Sequence, residues 1–265
     1  MGRKPGVYTI TKKDGTISYR SSITYNNKHI SLGSYASEDL AHLAYKEASA
    51  ITEGNFTIED ALYSRKFKAL PFEKQVVLLN FRDCRIYFKT PIYLRQNYFV
   101  YYLDKKTPLK FAIDDLFYYS THKIMRRGGH LFVSDFGMQV NILSRYGIHN
   151  FSVPERDYIF INGDSLDFRY ENIEVINKYH GVMKSTHKGV PVYLVKIHVN
   201  GDFIVGRYPT EDLAAVAYNK AADKLKEKGI EKEFLYNYIY SMDSKEYAQA
   251  YASVKISKKI RNYEL

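Results

Sequence analysis

The chain is nearly devoid of cysteine. Cys84 is the single cysteine among 265 residues, so an intrachain disulfide is impossible and a zinc site made of cysteine thiolates is excluded. No stretch approaches the roughly 18–20 consecutive apolar residues of a membrane span, and the N-terminal MGRKPGVYTI lacks the apolar run of a signal peptide. We therefore expect a cytoplasmic protein without membrane contacts.

Tryptophan is absent as well, whereas tyrosine is abundant. The 26 tyrosines and 15 phenylalanines favour aromatic packing in β-rich cores, and a hydrophobic fraction of 45% excludes an intrinsically disordered chain. Acidic residues are outnumbered, because 39 Lys and Arg face 29 Asp and Glu, which gives a net charge of +10. That excess favours a polyanionic partner such as nucleic acid.

Two segments, one near each end of the chain, resemble each other. The first begins at Gly6 and the second at Gly181, and each continues from Gly-Val into a Tyr-x-x-x-Ile strand. Hairpin turns are predicted at Asn26-Asn27 in the first copy and at Asn200-Gly201 in the second, because these residues tolerate a positive φ. The chain therefore contains an internal repeat built on antiparallel strands.

A helix is predicted after the strands of both copies. Ser37 and Thr210 are natural N-caps, and an acidic pair follows each of them, where the helix dipole favours negative charge. Apolar residues then recur at helical spacing in both copies, at Leu40, Leu43, Ala44 and Ala48, and at Leu213, Val216, Ala217 and Ala221. Each copy is expected to be a three-stranded antiparallel sheet with one helix across it.

The helix leaves one face of each sheet open. Because side chains alternate along a strand, Arg20, Ser22 and Thr24 are expected to face outward in the first copy. Lys196 and His198 are expected to do so in the second. Such a polar, partly basic face is compatible with DNA binding and equally with an ordinary solvated sheet.

The repeat also resembles a known family. Its pattern of Gly-Val, Tyr-x-x-x-Ile, Leu-Gly-x-Tyr and Glu-Asp-Leu-Ala-x-x-Ala-Tyr is similar to the APETALA/ethylene-response-factor type DNA-binding domain. This resemblance implies that the sheet docks in the major groove. By alignment, the reading face would hold Tyr8, Ser22, Thr24 and His29 in the first copy, and Lys184, Lys196 and His198 in the second. Arg and Trp dominate that face in the plant pattern, so this chain should make fewer bidentate guanine contacts.

The stretch DYIFINGDSLDFRYENIEVI, residues 157–176, resembles the His-Asn-His (HNH) homing endonucleases. The strings Ile-Asn-Gly-Asp-Ser-Leu-Asp and Arg-Tyr-Glu-Asn-Ile match that family well. On this resemblance the general-base histidine is replaced by Phe160, the metal-binding aspartate by Ile159 and the asparagine of Asp-Asn-Arg by Phe168. Asn172 is retained, and Arg145 lacks the histidine that precedes it in the family.

These replacements remove the groups that a nuclease needs to cleave DNA. A nuclease of this type needs a base to deprotonate water and polar ligands for a divalent metal, and neither phenylalanine nor isoleucine supplies them. We therefore expect no catalytic residue, no metal and no cofactor, with Asn172 tying the local scaffold by side-chain to backbone hydrogen bonds. The alternative is an active metal-dependent HNH endonuclease or nickase whose ligands have moved to Asp157, Asp164, His149 or Asn172. A third possibility is an interaction module for RNA or an acidic protein.

The predicted fold class is α+β, with two sheet-and-helix domains flanking a degenerate ββα-type, HNH-like central domain. The predicted boundaries are 1–55 for the first reader, 56–110 for a connecting α/β segment, 111–178 for the central domain, 179–232 for the second reader, and 233–265 for a basic helical tail. Within the connecting segment, PFEKQVVLLNF is predicted to be helical, and RIYFK and NYFVYYL are strand-like. The tail either contacts the DNA backbone or is solvated.

The function predicted from the sequence is sequence-specific binding of double-stranded DNA. The protein would be a nucleoid-associated transcriptional regulator or repressor of a bacterium or phage, monomeric or homodimeric, derived from a homing endonuclease. The residues expected to contact DNA are Tyr8, Lys12, Lys13, Arg20, Ser22, Thr24, His29, Lys123, Arg126, Arg127, Arg145, Arg169, Lys184, Lys188, Lys196 and His198.

Overall fold

The computed structural model describes residues 4–264, and the contacts within the chain divide it into two compact units. The first unit comprises the residues up to Val140 together with Asp164–Tyr170, and the second comprises Asn141–Gly163 and the chain from Glu171 onward. Small antiparallel sheets and seven α-helices make up the described residues. The predicted α+β class, with three-stranded antiparallel sheets, is confirmed.

The first unit begins with the first copy of the repeat. Its strands β1 (Val7–Thr11), β2 (Ile17–Tyr25) and β3 (Lys28–Tyr35) form a sheet in the order β1-β2-β3. The turn between β2 and β3 is the predicted one, because Asn26 and Asn27 have φ of 45° and 60°. Two successive positive φ values give the tight turn that matches the twist of a hairpin.

Helix α1 (Glu38–Glu53) crosses this sheet and starts at the predicted cap, where the Ser37 side chain accepts from the Leu40 N–H. The buried stripe, however, runs through Ala41, Ala44 and Ala48, while Leu40 is 45% exposed. The prediction that Leu40 belongs to the inner stripe is therefore wrong. The fully buried alanines allow the helix to approach the sheet closely.

The rest of the first unit is a run of short elements. In chain order they are α2 (Ile58–Tyr63), α3 (Phe72–Cys84), β4 (Ile92–Leu94), β5 (Tyr98–Asp104), β6 (Thr107–Ala112), α4 (Leu116–Thr121), β7 (Ile124–Arg127), β8 (His130–Asp135) and β9 (Met138–Asn141). Strands β4 to β6 form one sheet and β7 to β9 another. The prediction that RIYFK is a strand is wrong, because Arg85 ends α3 in the left-handed conformation and the chain leaves the helix irregularly.

The second unit contains the strand pair β10 (Tyr158–Phe160) and β11 (Ile173–Val175), followed by the second copy of the repeat. That copy consists of β12 (Val182–His187), β13 (Val190–His198), β14 (Asp202–Tyr208) and α5 (Glu211–Glu227). Thr210 caps α5 as predicted. The turn after β13 differs from the prediction, because it spans residues 199–201 and neither Asn200 nor Gly201 has a positive φ.

The C-terminal segment is part of the second core. Helices α6 (Ser244–Ser253) and α7 (Lys258–Arg261) follow α5, and Val254, Ile256 and Ile260 are buried in the cluster formed by the second sheet and α5. The Lys220 ammonium donates to the carbonyl oxygens of Tyr251 and Val254 at 2.6 and 2.9 Å. The tail is therefore docked on the second copy, although its lysines remain exposed.

The predicted HNH-like central domain is not confirmed, because residues 157–182, which include the HNH-like strings, contain two paired strands but no helix that would complete a ββα motif. A short 3-10 helix (Tyr170–Asn172) leads into β11, yet the next regular element after β11 is β12, so no helix completes the motif within residues 157–182. The contacts also assign parts of 111–178 to both units. Among the described residues, no helix is both long and apolar enough to span a bilayer.

Candidate nucleic-acid interface

The two copies share an irregularity in the sheet. In the first copy Ser21 pairs with Gly33 and Ser22 with Ser31, so that Leu32 is an extra residue on β3. In the second copy Val195 pairs with Gly206 and Lys196 with Ile204, so that Val205 is extra on β14. Both extra side chains are buried. A bulge bends its strand and increases the local twist, and both copies have it at the equivalent cross-strand pair.

A glycine at the start of each copy also occupies the same position. Gly6 and Gly181 have φ of 72° and 74°, and a Cβ at either would collide with a tyrosine ring of the following helix. The Gly6 carbonyl accepts the N–H of Ser22 at 3.0 Å, and the Gly181 carbonyl accepts the N–H of Lys196 at 2.9 Å. The glycine thus ties the helix to the residue beside the bulge.

The open face of the first copy is polar. Tyr8 lies opposite Arg20, and Thr24 lies opposite His29, and all four residues are exposed. Ser22 is on the same face but is only 7% exposed, because it forms the floor of a shallow groove between its neighbours. Of the side chains predicted for this face, Ser22 is therefore the least accessible to a partner.

The open face of the second copy mixes cations with aliphatic side chains. Lys196 pairs with Ile204, and His198 pairs with Asp202, to which its ring nitrogen Nδ1 lies at 2.8 Å. Lys184 does not belong to this face. It lies opposite Tyr193, which packs against the core, and directly opposite residues of an antiparallel pair share a face. The predicted placement of Lys184 beside Lys196 is therefore corrected.

One arginine on the open face of the second copy was missed in the sequence. In the first copy Arg20 lies opposite Ser34, and at the equivalent pair of the second copy Leu194 lies opposite Arg207. Each sheet therefore presents one exposed arginine at the same cross-strand pair, on different strands. Side chains alternate along a strand, so an inward-facing Tyr208 implies an outward-facing Arg207, and the sequence could have shown this.

Lysines lie at corresponding hairpin ends. Lys12 and Lys13 are exposed in the turn between β1 and β2, and Lys188 is exposed in the turn between β12 and β13. These turns join the first two strands of each copy. The exposed lysines therefore occupy the equivalent turn in both copies.

The basic residues in the middle of the chain that were predicted to contact DNA differ in their surroundings. The Lys123 ammonium is 3.1 Å from Glu73, and the Arg126 guanidinium is 3.2 Å from Asp104. The Arg169 guanidinium donates through two nitrogens to the buried Asp167 and stacks over the ring of Tyr98. Arg127 and Arg145 are exposed. Arg169 is thus held in a fixed orientation by a bidentate ion pair.

The residues that the sequence analysis compared with catalytic positions of the HNH family are apolar or tie the backbone. Phe168 is buried, and its ring stacks on Phe111 with 5.5 Å between centroids. Ile159 and Phe160 are half-buried in β10. Asn172 does what the sequence predicted, because its Oδ1 accepts the N–H of Asn162 at 2.8 Å.

Two of the alternative metal ligands, Asp157 and Asp164, are engaged in the scaffold. The buried Asp157 accepts from Arg156, from the Val153 N–H and from the Asn177 side chain. Burial opposes ionisation of this carboxyl, but these hydrogen bonds outweigh it and hold its pKa below the usual value. Asp164 forms an ion pair with Lys110 at 2.8 Å. Within residues 4–264, no three His, Cys, Asp or Glu side chains cluster as metal ligands would.

Comparison with protein-family models, with curated proteins and with solved structures gives no match for this chain.

Proposed function

We propose that this protein binds double-stranded DNA sequence-specifically through its two sheets, does not cut it, and acts as a transcriptional regulator or repressor in a bacterium or phage. One observation carries the proposal. The two copies repeat the same sheet register and the same bulge, and each has an exposed arginine at the same cross-strand pair of its open face. Packing of the two cores does not require an arginine at this outward-facing pair in both copies.

The dimensions and side chains suit the major groove. The groove is about 12 Å wide and admits two β-strands, which lie roughly 4.8 Å apart in a sheet. Arg20 and Arg207 are suited to bidentate contacts with guanine, and Lys196 and His198 to hydrogen-bond acceptors on base edges. The lysines in the β1–β2 and β12–β13 turns then contact phosphates, which position the sheet without reading sequence.

The absence of cutting is proposed from the residues at the HNH-like positions. A general base must reach the attacking water within hydrogen-bonding distance, and Phe160 and Ile159 carry no group that accepts a proton. Phe168 is packed in a core. On this view the stretch 111–178 descends from an HNH nuclease core and now serves as scaffold.

The proposal is tested by incubating the protein with sheared bacterial genomic DNA in magnesium buffer, recovering the retained fragments and sequencing them with their ends mapped. We expect one motif to be enriched inside intact fragments. Fragment ends that accumulate at the motif would show cutting, and loss of that cutting in Asn172→Ala or Asp157→Asn would establish the nuclease alternative. Retention without any motif would overturn sequence-specific binding.

A second arm compares duplex DNA with duplex RNA of the same sequence. A β-sheet that reads the major groove of B-DNA cannot enter the deep, narrow major groove of A-form RNA. We therefore expect binding to the DNA only. Equal affinity for both duplexes would support an interaction module that recognises charge alone.

A further inference from the structure

The open faces of the two sheets carry different side chains at corresponding positions. The shared bulge and the glycine at the start of each copy fix which cross-strand pairs correspond. Where the first copy has Tyr8 opposite Arg20, the second has Met183 opposite Leu194. A polar pair of the first copy is thus an apolar pair in the second.

The pair beside the bulge differs as well. It joins Ser22 and Ser31 in the first copy, and Lys196 and Ile204 in the second. Ile204 is 45% exposed, so the second copy presents an aliphatic group where the first presents a hydroxyl. An aliphatic group on a face that reads DNA matches the C5-methyl group of thymine.

The pair next to the hairpin turn differs in charge. It joins Thr24 and His29 in the first copy, and His198 and Asp202 in the second. Directly opposite residues of an antiparallel pair share a face, so Asp202 places a carboxylate on the open face of the second sheet. At this pair the first copy has no acidic side chain.

We propose that the two sheets read different base sequences, and that Asp202 selects a cytosine in the part of the site contacted by the second sheet; this rests on the DNA-binding function proposed for the protein. Two identical reading faces would bind two copies of one sequence. Faces with different donors, acceptors and apolar groups match different base edges, so the DNA site should have two unlike parts.

His198 holds the Asp202 side chain in place. Its Nδ1 lies 2.8 Å from a carboxylate oxygen of Asp202, and because a carboxylate only accepts, Nδ1 carries the hydrogen. The two side chains are 61% and 63% exposed, so a partner can reach them. The hydrogen bond from His198 lowers the pKa of Asp202, which keeps this group a carboxylate at neutral pH.

A carboxylate restricts which bases can lie beside it in the major groove. Guanine presents the acceptors N7 and O6, and thymine presents the acceptor O4, and all of these repel it. Amino groups occur at N4 of cytosine and N6 of adenine, but adenine also has the acceptor N7 next to its amino group. Cytosine therefore matches Asp202 best. Thr24, whose hydroxyl both donates and accepts, imposes no such choice in the first copy.

The experiment is a selection of bound sequences from random duplex DNA by the full chain and its variants. We expect a motif with two unlike parts, in which one position favours cytosine about tenfold over the other bases. Asp202→Asn should convert that position to adenine, because an asparagine amide donates to N7 and accepts from N6. Glu231→Gln, which neutralises an exposed carboxylate of the same unit, should leave the motif unchanged.

The first sheet provides a second control. His29→Gln should change the other part of the motif and leave the cytosine in place, because His29 lies on the sheet of the first copy.

His198 acts through Asp202 and is a positioning residue. His198→Ala should reduce the preference for cytosine at that one position, because the carboxylate is no longer held. His198→Asn should retain the preference, since its amide can donate from nearly the place of Nδ1. A loss of stability alone would lower affinity for all sequences alike and would not change one base.

A motif made of the same sequence twice would overturn the proposal of unlike halves, and cytosine retained by Asp202→Asn would overturn the role of Asp202. Both results would leave sequence-specific binding in place. Retention of DNA without any motif would instead overturn the proposed function, and the reading by Asp202 with it. The two failures are therefore separated by whether the unaltered chain selects a motif.

Discussion

Gly181 lies directly against the ring of Tyr218, and a Cβ built on this glycine would be 2.5 Å from the ring atom Cδ2. The same relationship recurs between Gly6 and Tyr45 in the first copy. In both copies it sets how closely the helix approaches the beginning of the sheet. The packing also reaches the open face of the sheet. The carbonyl of each glycine accepts the N–H of the residue beside the bulge, which is Ser22 in the first copy and Lys196 in the second.

Gly181→Ala should therefore destabilise the protein by about 2–4 kcal/mol, because it adds both a steric clash and strain at a positive φ. The measurement is the free energy of unfolding in urea. Gly201→Ala is the matched control, since Gly201 has no positive φ and open space around it, and its effect should stay under about 1 kcal/mol. Equal effects of the two variants would contradict the packing argument.

Glu47 anchors the turn before α3. Its buried carboxylate accepts the N–H groups of Lys68, Ala69 and Leu70 at 2.7, 3.0 and 2.7 Å. Glu47→Gln should cost about 1–3 kcal/mol of unfolding free energy, because an amide has one acceptor oxygen instead of two. Glu53→Gln, an exposed change in the same helix, should have an effect of less than about 0.5 kcal/mol. An effect of Glu47→Gln no larger than that of the control would show that the turn is held by other contacts.

Arg20 and Arg207 should determine which bases are preferred. Replacing either with Lys is expected to lower the affinity for the selected motif by about 1–3 kcal/mol and to relax preference at one guanine, because Lys lacks the planar fork of donors. The measurement is competition binding against all single-base variants of the motif. Unchanged preference in both variants would show that these arginines do not read bases.

Substitutions at the residues predicted to contact phosphates should lower affinity without changing which bases are preferred. Lys13→Gln, Lys123→Gln and Arg145→Gln are expected to weaken binding to all sequences alike and to reduce the salt dependence by about one counterion each. Changes at Lys196 or His198 should instead alter the preferred motif. Equal, sequence-independent losses from every variant would contradict this division of roles.

Stability should fall in mild acid because of His180. Burial is the first cause of its lowered pKa, followed by the positive charge of His149, Arg156 and Lys232, while Asp157 acts in the opposite direction. A histidine with a lowered folded-state pKa contributes stability that is complete above the unfolded-state value of about 6.5 and declines as pH falls below it. The unfolding free energy should thus be lower at about pH 5.5 than at about pH 7.5. His180→Gln should flatten this dependence, and an unchanged slope would assign it to other groups.

The local elements were readable in the sequence because their causes are local. Asn26-Asn27 specifies a hairpin through its own φ preferences, and Ser37 and Thr210 begin helices through hydrogen bonds within one turn. The repeat itself was visible because both copies need the same glycine, tyrosine and alanine positions for packing.

The placement of side chains on faces depended on the tertiary structure. Lys184 lies opposite Tyr193 because of the register of β12, and a shift of one residue would have turned it to the open face. The bulge in each sheet leaves Leu32 and Val205 without partners, which no alternation rule foresees. A cleft in the second unit joins His149, His180 and Lys232 from distant parts of the chain. Sequence determines such residues' chemistry, but only folding brings them together, since their proximity arises from long-range packing and not from spacing along the chain.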